Sequence, residues 1–323
     1  MIAHSGEYRK KNGQRGCVMM NNFIFENKTK VYFGKGGVKE YLGGLLANFG
    51  ETVMLAYGGG SIKCNGVYDE IMGILNAQGK CVVEFSGIMS NPTYDKVQEG
   101  AKLARENHVD LILAAGGGSV SDCCKVISGA FDTLSHAMET YFGKPDENNL
   151  SDDINEAVMR SVIRNIRILL TDPENYDARS ELAQASAMAE NGVLKIGKVT
   201  DFQAHQIEHQ LGAYTNCNHG AGLAVIHPVL YRHIYKSGTA RFTRWAQNVW
   251  GIAPKGSDEE TAAAGIDALA AFIKEIGLPT SFAELGIPAD TDFRAVADST
   301  NITAGCCKKL THDEIYEILQ ECL

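Results

Sequence analysis

The stretch from residue 116 to 142, GGGSVSDCCKVISGAFDTLSHAMETYF, joins two different sequence patterns. It opens with three glycines after an apolar run, which is typical of a turn from a strand into a helix. Its second half places Asp132 and His136 four residues apart, on one face of a helix. The stretch therefore predicts a phosphate-binding type of turn followed closely by a helix that carries two metal-ligand side chains.

Upstream of this stretch, short apolar runs alternate with helical patterns from Thr29 to about Ala130. Strands are predicted within KVYFG (30–34), TVMLAYGGGS (52–61), CVVEFSGI (81–88) and LILAAGGGS (111–119). Each run leads into a helical pattern, and repeated βα units of this length predict a parallel sheet covered by helices. Downstream of residue 130, apolar residues recur every three or four positions, so the rest of the chain is predicted to be helical.

These patterns divide the chain into three parts. Residues 1–19 are polar and aperiodic, so we predict a disordered leader. Residues 20–130 are predicted to form an α/β dinucleotide-binding domain, and residues 131–323 an all-helical metal-binding and catalytic domain.

The composition excludes several classes of function. A net charge of -9 over 323 residues, with no long run of like charges, argues against a nucleic-acid surface. No stretch is apolar for long enough to span a membrane, and the N-terminal residues lack the apolar core of a signal peptide. The nine cysteines form no C-x-x-C pair, so reduced thiols in a cytoplasmic protein are expected. Chemistry on a small molecule is favoured.

Two predicted strand-to-helix turns carry the same tetrapeptide, Gly-Gly-Gly-Ser, at 58–61 and 116–119. Glycines permit close approach of a phosphate to the backbone, although such a turn is also common as a plain βα connection. The segment from Tyr57 to Lys63 has no carboxylate to bind a ribose 2′-hydroxyl, and it offers Ser61 and Lys63 as donors, which favours NADP(H) over NAD(H). Asp122, after the second turn, is interpreted either as a helix cap or as a ribose contact.

Five of the nine histidines lie between residues 205 and 233. His205 and His209 are one helical turn apart, and His219 precedes a glycine. Together with Asp132 and His136 they provide imidazole and carboxylate ligands, a set suited to Fe²⁺ or Zn²⁺ rather than Mg²⁺ or Ca²⁺. His227 and His233 are interpreted as structural.

Several strings in the chain resemble the iron-containing, or group III, alcohol dehydrogenases, especially their NADPH-type butanol dehydrogenase branch. They include YGGGSIKCNGVYDEI, AAGGGSVSDCCK, FDTLSHAMETYF, HQIEHQLGAY and NHGAGLAVIHP. The resemblance implies reversible oxidation of primary alcohols to aldehydes by homodimers.

The resemblance also assigns roles to individual positions. It implies that the metal ligands are Asp132, His136, His205 and His219, and that His209 lies near the nicotinamide as a candidate catalytic residue in proton relay. It implies cofactor contacts by Gly58, Gly59, Ser61, Asn91, Pro92, Gly116, Gly117, Gly118, Ser119 and Asp122.

The chain departs from this family between its two helical motifs near residue 130. Family members carry several tens of residues there, which form the rest of the sheet, a β-hairpin and a threonine-rich turn that contacts the cofactor. We therefore predict an internal deletion, a truncated parallel sheet and an exposed sheet edge with apolar surface. The alternative to a deletion is a compact variant that closes its sheet differently. The alternatives to an alcohol dehydrogenase are a polyol dehydrogenase or a dehydroquinate-synthase-like lyase on the same scaffold, and an inactive metal-binding remnant.

Overall fold

The protein is described here from a computed structural model. The structure describes residues 24–27, 29–88, 94–116, 123–146 and 148–323. The predicted leader, residues 1–19, lies outside them.

The N-terminal part contains a small parallel sheet with the strand order β2-β1-β3. Its elements are α1 (Gly37–Leu46), β1 (Thr52–Tyr57), α2 (Ser61–Cys64), α3 (Val67–Ala77), β2 (Cys81–Phe85), α4 (Tyr94–Glu106) and β3 (Leu111–Ala115). Thr52 pairs with Cys81 in the register of β1 and β2, and Val53 pairs with Leu111 in that of β1 and β3. The prediction of a parallel α/β sheet is confirmed.

The central strand β1 is buried on both faces, as expected for a parallel sheet covered by helices. Val53, Leu55 and Tyr57 pack on one face in a cluster with residues of α1 and α3. Met54 and Ala56 pack on the other face with Phe85. The period of two between these positions explains why an almost continuous apolar run forms this strand.

The prediction of a strand within KVYFG (30–34) is wrong. Residues 30–33 have no regular secondary structure, and Val31, Tyr32 and Phe33 are exposed. A strand is stable only when a neighbour satisfies its backbone groups, and among the described residues this segment has no strand partner. The apolar sequence therefore lies on the surface.

Strand β3 forms an edge of the described sheet and exposes apolar side chains. It pairs with β1 alone among the described strands. Ile112, in the middle of β3, is 60% exposed, whereas an inner strand of a parallel sheet is normally covered. This agrees with the predicted exposed edge.

The remainder of the described chain is helical, as predicted. The elements are α5 (Cys123–Tyr141), α6 (Leu150–Thr171), α7 (Tyr176–Glu190), a 3₁₀ turn (Val193–Lys195), α8 (Gln203–Thr215), α9 (His219–Ile234), a second 3₁₀ turn (Tyr235–Gly238), α10 (Thr239–Asn248), α11 (Asp258–Glu275), α12 (Phe293–Ser299) and α13 (His312–Glu321). A single large hydrophobic core joins these helices, and within it the rings of Phe142 and Trp245 pack edge to face. None of the described helices has the length and apolar character needed to cross a membrane.

Helix α5 runs without a break through the predicted domain boundary. The two helical motifs on either side of Ala130 form one helix of 19 residues. From Ala130 onward its apolar face is buried, and Phe131, Leu134 and Met138 belong to the core of the helical part. The same helix carries the ligand pair at Asp132 and His136.

Candidate functional site

Three helices bring the predicted metal ligands together. Helix α5 carries Asp132 and His136, α8 carries His205, and α9 begins at His219. The side chain of Asn218 caps α9 by accepting a hydrogen bond from the backbone N–H of Ala221 at 3.0 Å. This cap fixes the start of α9, and with it the position of His219.

A glycine lets α9 approach α5 closely. A Cβ atom on Gly220 would overlap the backbone carbonyl oxygen of Ser128, so a side chain does not fit there. The close approach places His219 opposite Asp132, with 3.5 Å between His219 Nε2 and Asp132 Oδ1.

The predicted ligand atoms lie close together, and those of Asp132, His205 and His219 are all within 4.8 Å of one another. His205 Nε2 lies 3.1 Å from His136 Nε2 and 3.3 Å from Asp132 Oδ1, and His136 Nε2 lies 3.6 Å from Asp132 Oδ1. In a tetrahedral site with metal–nitrogen bonds of about 2.1 Å, two ligand atoms stand about 3.4 Å apart. These separations are close to this value, and three imidazole nitrogens with one carboxylate oxygen are a ligand set that iron and zinc both accept.

Two buried glutamates orient the ligand histidines. Glu139 binds Nδ1 of His205, and it also accepts hydrogen bonds from the backbone N–H groups of Ala204, at 2.6 Å, and His205, at 3.3 Å. Glu208 binds Nδ1 of His219 in the same way. A carboxylate on Nδ1 leaves Nε2 available to a metal ion and would make the ring a stronger ligand. The prediction from sequence did not include either glutamate.

The electrostatics of the site are those of a cation-binding centre. Burial alone would raise the pKa of Asp132, but hydrogen bonds from His205 and His219 hold it well below its usual range. Burial opposes protonation of His205, yet Glu139 and Asp132 raise its pKa to about 9, and Asp132 and Glu208 likewise raise that of His219 to about 10. Positive charge is therefore stabilised at the point where the ligand atoms meet.

Helix α7 adds a third residue that the sequence did not indicate. Glu190, the last residue of that helix, places its Oε1 2.9 Å from His136 Nε2. Burial and the charge of His205 lower the pKa of His136 to about 4, and the positive charge of Lys195 acts in the same direction. No sequence motif contains Glu190, so only the packing of α7 on α5 could place it here.

The other histidines of this region lie on α8 and α9. His209 is exposed, and its ring stacks on that of His219 with 5.3 Å between the centroids. His227 is fully buried and its Nε2 forms a 2.7 Å hydrogen bond with Ser135 Oγ. His233 Nε2 lies 3.1 Å from Glu321, on the side of α9 that packs near α13. These contacts fit structural roles for His227 and His233.

Only part of the predicted cofactor site falls within the described residues. Gly58 and Gly59 lie in the turn after β1, Ser61 begins α2, and Gly116 follows β3. A Cβ on Gly59 or Gly116 would meet no atom within 4 Å, so these backbones face open space that a ligand could enter. The remaining predicted contacts, Asn91, Pro92, Gly117, Gly118, Ser119 and Asp122, lie outside the described residues.

A carboxylate from another strand stands near the first glycine turn. Glu84, on β2, accepts hydrogen bonds from the hydroxyls of Tyr57, at 2.5 Å, and Tyr68, at 2.7 Å. Lys63 Nζ lies 3.7 Å from the same carboxylate and over the ring of Tyr68. The positive charge expected to favour a 2′-phosphate is therefore partly balanced.

The chain is similar to known proteins over nearly its whole length. A family model described as iron-containing alcohol dehydrogenase matches residues 28–157, and the C-terminal model of the same family matches residues 126–323. A probable NADH-dependent butanol dehydrogenase of Bacillus subtilis is 30% identical, with 94% of this chain and 100% of that protein aligned. The NADPH-dependent aldehyde reductase YqhD of Escherichia coli is 27% identical, with 83% of this chain and 90% of that protein aligned.

A solved structure has the same fold. The NADH-dependent butanol dehydrogenase A of Thermotoga maritima superposes with a TM-score of 0.86 at 25% identity, covering 94% of this chain and 99% of that chain. The alignment with the Bacillus relative spans 392 positions, 69 more than the 323 residues of this chain, so at least that many positions face a gap here. With the family models covering both parts of the chain, the protein belongs to the iron-containing alcohol dehydrogenase family.

Proposed function

We propose that the protein is a metal-dependent alcohol dehydrogenase and aldehyde reductase. In the reductive direction a hydride and a proton add to an aldehyde such as butanal, giving the primary alcohol while NAD(P)H becomes NAD(P)⁺. The clustering of Asp132, His205 and His219, with His136 Nε2 3.1 Å from His205 Nε2 and 3.6 Å from Asp132 Oδ1, carries this proposal.

These four residues would hold the metal, with iron expected from the family and zinc equally compatible with the ligands. When bound, the metal would polarise the substrate oxygen and the nicotinamide would exchange a hydride with the substrate carbon. Glu139 and Glu208 keep Nε2 of His205 and His219 directed at the metal position. His209 stands beside this position and is exposed, so it can carry a proton between substrate oxygen and solvent.

For the cofactor, we propose the turn at Gly58, Gly59 and Ser61 and the turn beginning at Gly116 as phosphate contacts. The open space beside Gly59 and Gly116 supports this assignment. We propose NADP(H) as the preferred cofactor, with Ser61 and Lys63 binding the 2′-phosphate. Because Glu84 lies 3.7 Å from Lys63, the preference over NAD(H) should be modest. Initial rates with both cofactors, for the wild type and Lys63→Met, test it.

The deciding experiment compares turnover by the wild type and by His205→Ala on three substrates: butanal, glycerol and a sugar-phosphate-type acid. We expect the wild type to turn over butanal best and the variant to lose hydride transfer. Best turnover of glycerol would instead indicate a polyol dehydrogenase, and elimination on the acid would indicate a lyase. Unchanged turnover by metal-stripped protein would refute the metal mechanism.

A second candidate function is metal binding without cofactor binding. The gap of at least 69 positions against the Bacillus relative favours it, and so does the 60% exposure of Ile112 on the edge strand β3. We propose that the missing segment belongs between the two halves of α5, near residue 130. Tight metal binding with no change in NADPH fluorescence on titration would support this candidate.

We also propose a homodimer in solution. The exposed apolar side chains of Val31, Tyr32 and Phe33 support an association surface on the α/β part. Sedimentation equilibrium would distinguish a dimer from a monomer.

A further inference from the structure

Glu190 places a second carboxylate at the candidate metal centre. It is the last residue of α7, and its Oε1 lies 2.9 Å from Nε2 of His136. Asp132 Oδ1 lies 3.6 Å from the same nitrogen, so two carboxylates flank one predicted ligand atom. The side chain of Glu190 is 55% exposed, more than those of Asp132 and His136. Glu190 therefore lies at the solvent-facing edge of the ligand cluster.

The charge of this carboxylate is not balanced by its neighbours. No Lys or Arg forms an ion pair with Glu190 among the residues that the structure describes, and its ion-pair contact there is with His136. Burial and the charge of His205 lower the pKa of His136 to about 4, so the ring of His136 is neutral at pH 7. A divalent cation bound among the predicted ligands would balance the charge of Glu190.

The position of Glu190 relative to His136 is that of one metal ligand relative to another. In a five-coordinate site with bonds of about 2.1 Å, ligand atoms stand about 3.0 Å apart at right angles and about 3.6 Å apart within a trigonal plane. Glu190 Oε1 and His136 Nε2, at 2.9 Å, and the Nε2 atoms of His136 and His205, at 3.1 Å, match the first value. Asp132 Oδ1 and His136 Nε2, at 3.6 Å, match the second.

We infer that Glu190 is a fifth metal ligand, in addition to the four predicted ones. The inference rests on the metal-dependent function proposed above and adds a carboxylate from α7 to its ligand set. Three imidazoles and two carboxylates balance the charge of a divalent ion. They suit metals that accept five or six ligands, such as Co²⁺ and Mn²⁺, better than Zn²⁺, which is usually four-coordinate in proteins.

Cobalt binding to the metal-free protein tests the inference, because the visible spectrum of Co²⁺ depends on the number and type of its ligands. Glutamine at position 190 keeps an acceptor oxygen for His136 but lacks the charge that binds the ion. We expect Glu190→Gln to change the position and intensity of the visible bands. The variant should also raise the Kd for Co²⁺ about tenfold or more, since loss of even an outer partner typically costs 10- to 100-fold.

Glu181→Gln is the matched control, because it removes the same charge from another exposed position of α7 and should keep the wild-type spectrum and Kd. A titration with Zn²⁺ gives a second comparison. Four ligands suffice for Zn²⁺, so Glu190→Gln should weaken its binding less than that of Co²⁺.

An unchanged cobalt spectrum in Glu190→Gln would overturn the inference even if the Kd rose, because a residue that only positions His136 alters the affinity and not the ligand set. So would a crystal structure of the cobalt-loaded wild type in which the Glu190 carboxylate lies more than about 3 Å from the ion. If His205→Ala still abolished cobalt binding, either result would leave the proposed function standing. Folded wild type that binds no cobalt would instead count against the metal centre as a whole.

Discussion

Replacing Glu139 by glutamine should weaken metal binding while leaving all four ligands in place. Glu139 is 1% exposed, and its carboxylate binds Nδ1 of His205 and two backbone N–H groups. Glutamine is nearly the same size but has only one acceptor oxygen, so its amide N–H₂ must face at least one of these donors. Loss of such a partner to a ligand histidine typically lowers metal affinity 10- to 100-fold, about 1.4–2.7 kcal/mol.

Competition with a chromophoric chelator would measure the metal Kd of wild type and Glu139→Gln. Glu156→Gln is the matched control, because Glu156 is also buried and accepts hydrogen bonds from Tyr141, Arg244 and Asn248, but touches no ligand histidine. The control should lose stability and keep its metal Kd. A Glu139→Gln Kd within about threefold of the wild type, or an equal weakening by Glu156→Gln, would refute the role of Glu139.

Three further predictions concern helix packing, a buried acid and cofactor choice. Gly220→Ala should lower the melting temperature and the metal content, because its Cβ would overlap the carbonyl oxygen of Ser128, at a cost of about 1–3 kcal/mol. Gly129→Ala in α5 is the control: its Cβ would meet no atom within 4 Å, so this variant should be neutral or stabilising. Burial and the charge of Glu139 raise the pKa of Asp201 to about 7, so the folded protein should lose stability as the pH rises from about 4 to 7. Asp201→Asn should therefore stabilise the protein at pH 8, by at most about 4 kcal/mol, but not at pH 4. Urea denaturation at the two pH values measures this difference. Lys63→Met should reduce the ratio of kcat/KM for NADPH over NADH, and an unchanged ratio would contradict the role of Lys63.

Regular helical spacing made part of the candidate site predictable. Asp132 and His136 are four residues apart on α5, and this spacing places them on one face of the helix independently of the tertiary structure. The same rule could have indicated Glu139, seven residues after Asp132, but a glutamate at that spacing is common among the 39 acidic residues of the chain. Glu190 could not be found in this way, because its place beside His136 depends on how α7 packs against α5.

The sheet shows where local patterns stop being informative. The apolar runs at β1, β2 and β3 were correctly predicted to be strands, because each of them pairs with a parallel strand. KVYFG has the same local pattern, yet no described strand lies beside it and it stays irregular. Strand pairing also explains the position of Glu84. Because β1 pairs with β2, Glu84 lies close to Tyr57 and Lys63, although at least twenty residues of chain separate it from each of them.

Butanal-dependent oxidation of NADPH, followed at 340 nm, tests the central claim most directly. The metal-loaded wild type should show a rate that disappears when a chelator removes the metal and returns when Fe²⁺ or Zn²⁺ is added back. The rate should be absent in His205→Ala under all three conditions. A rate that persists in the stripped protein, or the lack of any rate in folded, metal-loaded protein that binds NADPH, would contradict the claim.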